Sequence, residues 1–294
     1  MLDTNRLRVF AAVARHGSVT AAARALNYSQ PAVSHHLARL ESETGSRLVQ
    51  RVGRGIRLTD AGRLLAERAE EILGRLDAAE AELAAHTGLR AGRVRLAAFP
   101  SALGTFVPAA AAAFTAAHPG VELRFTEAEP PDAVRLLRAG EVDVALLFSY
   151  PDAAFPDDAL RHTPLLTEPI CLVTPAGLPG DTLADHAGRR WITGCERCRR
   201  QLVRSCAAAG FTPDIAFTTD DYVAVQALVA AGLGVTTLPA LALAAQRNPS
   251  VRTVRLPGCV RSVSAALHGD APDPPATTAL LEHLAHAAAT ALAP

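Results

Sequence analysis

The sequence predicts an α/β protein with an all-α-type head, and three observations carry that reading. Charge is segregated: residues 1–60 hold nine Arg and four Asp or Glu, while residues 61–92 and 93–294 are net negative and the 294-residue chain sums to zero. Apolar residues recur at helical spacing as far as residue 86. From residue 93 onward, short apolar strands alternate with helices, the pattern of a parallel sheet. Length agrees with about two domains, and an apolar fraction of 49% supplies their cores. The expected division is a basic head at 1–60, a helix and hinge at 61–92, and an α/β body at 93–294. The body's first lobe is expected at about 93–164 and 266–294, and its second at about 165–265.

In the head, Leu7, Val9, Phe10, Val13 and Ala14 place a first helix over 4–15, ended by His16-Gly17. Ser18 is a cap for a second helix, Val19 to Leu26, rich in small residues. Asn27-Tyr28 forms the turn, since Asn tolerates left-handed backbone. Ser29 caps a third helix with Pro31 in its first turn and Val33, Leu37 and Leu40 facing inward; Gly45 ends it. Its open face carries Gln30, Ser34, His35 and Arg39. Residues 47–58 then read as a glycine-tipped hairpin with Arg47, Arg51, Arg54 and Arg57, suited to phosphates. Two short helices, a tight turn and a polar leading face make a winged helix-turn-helix for double-stranded DNA. The candidate contacts are Thr20, Ser29, Gln30, Pro31, Ser34, His35, Arg39, Arg51, Arg54 and Arg57, with Gln30 able to pair adenine through two hydrogen bonds.

Thr59 caps a long helix to about His86. Leu65, Ala69, Ile72, Leu76, Ala79 and Leu83 alternate at four and three residues, a short coiled-coil seam, with charged residues outside it. Leu65, Ile72, Leu76 and Leu83 are therefore candidates for dimerisation. Residues 87–92 form the hinge.

The segments Phe10-Ala11-Ala12-Val13-Ala14, Ser29-Gln30-Pro31-Ala32-Val33-Ser34 and Leu58-Thr59-Asp60-Ala61-Gly62 strongly resemble the head of LysR-type bacterial transcriptional regulators, nearly without a gap from residue 6 to 65. That family often has Arg where this chain has His35, so base preference at that contact is open. The resemblance implies a homodimer, commonly a homotetramer, that binds operator DNA, senses a small-molecule effector and acts with RNA polymerase. The sequence shows no Walker loop, no HExxH and no full dinucleotide fingerprint around Gly232-x-Gly234, so no cofactor and no enzymatic activity are expected.

In the body, Val94, Leu96 and Ala98 alternate as a strand. Pro100-Ser101 opens a single helix to about His118, and Pro119-Gly120 turns into a strand from Val121 to Thr126. A helix over Asp132–Ala139 and a strand over Val142–Phe148 complete the first lobe. The second lobe is expected to contain strands Ile170–Thr174, Trp191–Thr193, Ile215–Thr218 and Val235–Leu238, with helices Arg197–Ala209 and Tyr222–Ala231. Strand Ser262–Leu267 returns to the first lobe, and helix Thr277–Leu292 follows. This half resembles the effector domain of the same family, which is similar to periplasmic binding proteins. The resemblance implies a cleft lined by Ser101, Ala102, Phe148, Ser149, Thr193, Gly194, Cys195 and Thr219. At Ser101, a hydroxyl on helix amides makes a small anion site; a plain helix cap is the alternative.

Composition and motifs exclude several classes. All 29 basic residues are arginine, which removes Schiff-base, pyridoxal-phosphate and lysine-dependent P-loop chemistry. The start Met1-Leu2-Asp3-Thr4-Asn5-Arg6 has no apolar run, so no secretory signal is expected, and five cysteines then suggest a reducing, cytoplasmic setting. The uncharged run Tyr222 to Gln246 is long enough for a bilayer, but Gly232, Gly234 and Pro239 break it, and no membrane partner is expected.

The unusual segment is 193–206, with Cys195, Cys198 and Cys206 among four arginines at a strand-to-helix junction. Cations and a helix N-terminus favour thiolate. Peroxide-sensing LysR regulators look similar here. Cys195 and Cys198 also have metal-ligand spacing, but the sequence shows no second ligand pair. Redox sensing, metal sensing and plain packing all stay open. A thiol oxidoreductase would give the basic head no role; a small-molecule carrier would need export.

Overall fold

The computed structural model describes residues 2–52, 55–86, 92–151, 160–269 and 271–292. The chain divides into two compact units, Met1–Ala84 with Arg138–Glu141, and Ala85–Leu137 with Val142–Pro294.

In the first unit, α1 (Thr4–His16), α2 (Val19–Ala25) and α3 (Gln30–Thr44) precede the hairpin β1 (Val49–Val52) and β2 (Gly55–Leu58), and α4 (Asp60–His86) follows. Side-chain caps start the three short helices. Asp3 accepts from Arg6 N at 3.0 Å, Ser18 from Ala21 N at 3.4 Å and Ser29 from Ala32 N at 3.3 Å. Gly17 and Gly45 end α1 and α3 with φ of 60° and 64°, and Asn27 makes the intervening turn at φ 55°. Phe10, Val13, Ala22, Val33 and Leu40 are fully buried where the helices converge. Glu41 ties this core to the hairpin: its Oε1 accepts from Leu48 N at 2.8 Å and Val49 N at 3.3 Å. Thr59 Oγ1 donates to Arg47 O at 2.7 Å and accepts from Gly62 N at 3.0 Å, setting the start of α4.

The first turns of α4 belong to the head. Ala69 is fully buried, and Leu65, Ala66 and Leu73 pack with Leu7, Phe10, Leu37, Leu40 and Leu48. Leu65, expected in a seam between copies, is thus engaged by its own head. The physical reason is that a 4-3 apolar spacing suits any packed partner, including the helix's own domain. Ile72 remains 40% exposed and Leu76 half-buried.

In the second unit, β3 (Gly92–Ala98) lies between β4 (Val121–Glu127) and β5 (Val144–Ser149) and is parallel to both, as expected from the strand-helix alternation. The sheet continues from β5 into β10 (Val251–His268), β6 (Leu160–Pro175), β9 (Val235–Pro239), β7 (Arg190–Thr193) and β8 (Asp214–Thr218). β6 and β10 pair antiparallel along most of their length and link the two lobes. α5 (Pro100–Leu103), α6 (Phe106–Ala117) and α7 (Pro130–Arg138) flank the first lobe; α8 (Glu196–Ala208), α9 (Tyr222–Ala230) and α10 (Ala240–Ala245) flank the second. α11 (Pro275–Thr290) returns to the first lobe, where His283 meets the Phe114 ring edge at 6.0 Å.

Two expectations change, and a third holds. The single helix expected from Pro100 to His118 is two, because Thr105 leaves helical backbone (φ −128°, ψ −96°). At the break, a Cβ on Gly104 would lie 3.0 Å from Ala245 Cβ, so the short α5 meets α10 closely. β6 and β10 extend well beyond Ile170–Thr174 and Ser262–Leu267. Their outer parts mix Arg, Thr and His with apolar residues, and β10 carries an irregularity between Arg255 and Val260 with Gly258 at φ 70°. Antiparallel pairing with each other holds these outer parts extended without a clean alternation. The run Tyr222–Gln246 resolves into α9, β9 and α10; among the described residues no helix is long and apolar enough to cross a membrane.

Candidate functional site

The leading face of α3 is built by three local features. Asn27 turns the chain, Ser29 starts the helix, and Pro31 occupies the first turn. Val33, Leu37 and Leu40 then anchor one face, which forces Gln30, Pro31, Ser34, His35 and Arg39 outward; all five are exposed. Thr20 on α2 and Arg57 on β2 are exposed as well. Ser29 is exposed with its hydroxyl engaged in the cap. His36, beside His35, stacks on Tyr28 at 5.9 Å. Arg54 lies outside the described residues, as do the side chains of Arg51 and Leu83.

The second site is a narrow cleft in the α/β unit, reached by Glu129 and Tyr150 from one side and by Thr193, Gly194, Cys198 and Asp220 from the other. Thr219 also lines it. Buried near its Cys198 and Tyr222 walls is an ion pair that sequence reasoning missed. Arg261 and Glu168 are both fully buried, with Arg261 Nε donating to Glu168 Oε1 at 2.6 Å. Arg261 Nη2 donates to Ser101 Oγ at 2.7 Å, and its guanidinium lies 4.4 Å from the Phe148 ring centre and 5.0 Å from that of Phe99. Glu168 Oε2 accepts from Leu241 N at 2.7 Å, at the start of α10. No local signal marks this pair, since its members lie 93 residues apart on two strands.

This ion pair changes the reading of Ser101. The residue is fully buried, α5 has no side-chain cap, and the Ser101 hydroxyl serves Arg261. Neither the cap nor the free anion site matches that geometry, because a closer cation has taken the hydroxyl. Ala102 and Phe148 are likewise fully buried, and Ser149 is half-buried.

The cysteines separate into two groups. Cys195 donates to Cys198 across 3.4 Å, and the Tyr150 hydroxyl donates to Cys198 at 3.5 Å. The Cys195 hydrogen bond holds the Cys198 thiol below its ordinary pKa against the effect of burial, helped by the Arg261 charge and Tyr150. Donating that bond, together with burial, drives Cys195 upward. Burial, then the adjoining Cys195 and Asp220, push the Glu129 carboxyl up to about 9. Cys206 is fully buried on the far part of α8, and burial pushes its thiol up to about 11. α8 runs unbroken from Glu196 to Ala208, so Cys198 and Cys206 stand about 12 Å apart along it. The structure brings together Cys195 and Cys198, and leaves Cys206 outside the pair.

Comparison with known proteins covers both sites. The family model described as LysR substrate binding domain matches residues 87–289, and that described as bacterial regulatory helix-turn-helix protein, lysR family, matches residues 4–63. The HTH-type transcriptional regulator TfdS of Cupriavidus pinatubonensis is 30% identical over 277 residues, covering 90% of this chain and 92% of the relative. A protein of Mycobacterium avium named "Probable hydrogen peroxide-inducible genes activator" is 33% identical over 257 residues, covering 83% and 80%. The crystal structure of CbnR, a LysR family transcriptional regulator, is similar at a TM-score of 0.65 and 25% identity, covering 98% of this chain and 99% of that one. Full-length CbnR in complex with its target DNA matches at a TM-score of 0.55 and 27% identity, covering 98% and 100%.

Proposed function

Since the chain belongs to the LysR family of DNA-binding transcriptional regulators, we propose that α3 reads operator bases, α4 pairs two copies, and the cleft takes a small-molecule effector. The observation that carries this is the face of α3, where an apolar stripe pins the helix and leaves Gln30, Ser34, His35 and Arg39 exposed. Arg57, with Arg51 and Arg54 of the same hairpin, neutralises phosphates. Ile72, Leu76 and Leu83 form the seam between copies, and dimers pair into a homotetramer in the cytoplasm. Effector binding draws the lobes together, changes the spacing of the two heads on DNA, and alters the response of RNA polymerase.

The test is Leu76→Glu, which puts a charge into the seam. The expected result is a shift toward monomer in sedimentation and a footprint shortened to one half-site. Unchanged assembly and footprint length overturn the seam.

One observation favours a second reading of the cleft. Cys198 is biased toward thiolate with Cys195 at 3.4 Å, and the Mycobacterium avium relative is named for a hydrogen peroxide response. Under this reading peroxide oxidises Cys198 to a sulfenic acid, and Cys195 displaces water to close a disulfide.

A further inference from the structure

We infer that Cys195, Cys198, Glu129 and Asp220 form a binding site for one thiophilic divalent cation of the zinc class, which ties the two lobes together. Its consequence for DNA rests on the proposed reading of the cleft as the sensory site; the binding itself does not.

Ligand atoms of Glu129, Cys195 and Asp220 lie within 4.8 Å of one another, and Cys198 Sγ is 3.4 Å from Cys195 Sγ. A tetrahedral zinc ion with bonds of about 2.0–2.3 Å separates its ligands by roughly 3.3–3.8 Å. Glu129, Cys195 and Asp220 therefore need only a small contraction to share an ion, and Cys198, already beside Cys195, completes the shell by a side-chain shift that parts the two sulfurs slightly. The chemistry selects the metal: two thiolates disfavour magnesium and calcium, and two carboxylates disfavour copper(I).

Three further observations point the same way. Glu129 Oε2 is buried with no hydrogen-bond partner among the described residues, a polar atom left unsatisfied where a bound cation would satisfy it. Residue 194 is glycine, and a Cβ there would lie 3.0 Å from Asp220 Oδ1; the missing side chain leaves room for that carboxylate. The loop bearing Asp220 is held to the end of β7 by Thr219 N donating to Thr193 O at 2.9 Å. That bond fixes Asp220 relative to Cys195 and Cys198 at the start of α8.

The ligands also divide usefully. Glu129 opens α7 in the first lobe, whereas Cys195, Cys198 and Asp220 stand at the starts of α8 and α9 in the second. An ion bound by all four spans the cleft. The Cys195-x-x-Cys198 spacing is visible in the sequence; the second ligand pair comes from two loops distant in the chain.

The experiment uses the full chain, reduced and stripped of metal, titrated with Co2+ as a spectroscopic probe. One Co2+ per chain is expected, with thiolate-to-cobalt bands in the near ultraviolet and strong visible bands of tetrahedral cobalt, both lost on adding Zn2+. Cys195→Ser and Cys198→Ser weaken the thiolate bands. Glu129→Gln and Asp220→Asn each weaken binding roughly tenfold or more, and Cys259→Ser changes nothing. Circular dichroism checks that each variant is folded. Binding well below one equivalent, cobalt without thiolate bands, or wild-type affinity in both carboxylate variants overturns the site. A chain that closes a Cys195–Cys198 disulfide and takes no metal after reduction also overturns it and leaves the peroxide reading. Cobalt bound as expected, with an operator footprint unmoved by Zn2+, upholds the site and contradicts the cleft's proposed sensory role.

Discussion

Glu168→Ala is expected to destabilise the α/β unit by about 3–5 kcal/mol, the typical cost of leaving a buried charge without its partner. Both members of the pair are fully buried. Burial alone would lower the Arg261 pKa, but Glu168 and the nearby tyrosines outweigh it and hold Arg261 above its ordinary value. The arginine therefore stays charged and cannot escape by losing its proton. Removing the carboxylate leaves Arg261 with Ser101 as its hydrogen-bond partner and deprives Leu241 N of its acceptor. Replacing both members by apolar residues, Glu168→Leu with Arg261→Met, is expected to cost less than Glu168→Ala alone, since no buried charge remains. Trp191, the one tryptophan of the chain, is fully buried in this unit, so its fluorescence during denaturant unfolding reports that unit. A loss below about 1 kcal/mol for the single variant would mean that water reaches the pair.

Gly62→Ala is expected to be the most damaging single-methyl change in the head. A Cβ at Gly62 would sit far inside contact distance of the Leu48 carbonyl oxygen. That oxygen is backbone and already accepts from Thr59 N at 3.0 Å, so it cannot swing aside. Either α4 or the hairpin must move. Overpacking of this kind costs about 2–3 kcal/mol, and the displaced hairpin carries Arg57. The expected result is a head that unfolds at lower denaturant and binds DNA roughly tenfold or more weakly. Wild-type stability and affinity would show that the close approach at Gly62 is relaxed in solution.

The head was legible because its signals are local. Ser18 and Ser29 cap where they stand, Gly17, Asn27 and Gly45 turn where they stand, and Val33, Leu37 and Leu40 follow the period of one helix. The parallel core of the first lobe was legible for the same reason. What the sequence hid is pairing at a distance. The polar outer parts of β6 and β10 are strands because each pairs with the other across the sheet. The Arg261–Glu168–Ser101 network joins three separate segments, so Ser101 read alone suggested an anion site or a cap. Leu65 had the spacing of a seam and found its partner within its own head. Glu129 and Asp220 gave no motif at all, although the fold sets them beside Cys195.

Base reading by α3 is the central claim, and Gln30→Ala tests it most directly. Binding of the full chain to a selected operator fragment and to random DNA of equal length is measured at one fixed salt concentration. Gln30 is exposed at the first position of α3, and loss of its paired hydrogen bonds to adenine costs about 1–3 kcal/mol. The account predicts a loss of that size on the operator, with affinity for random DNA unchanged. Equal losses on both DNAs would show that Gln30 only positions the helix, and would contradict the claim that this face reads sequence.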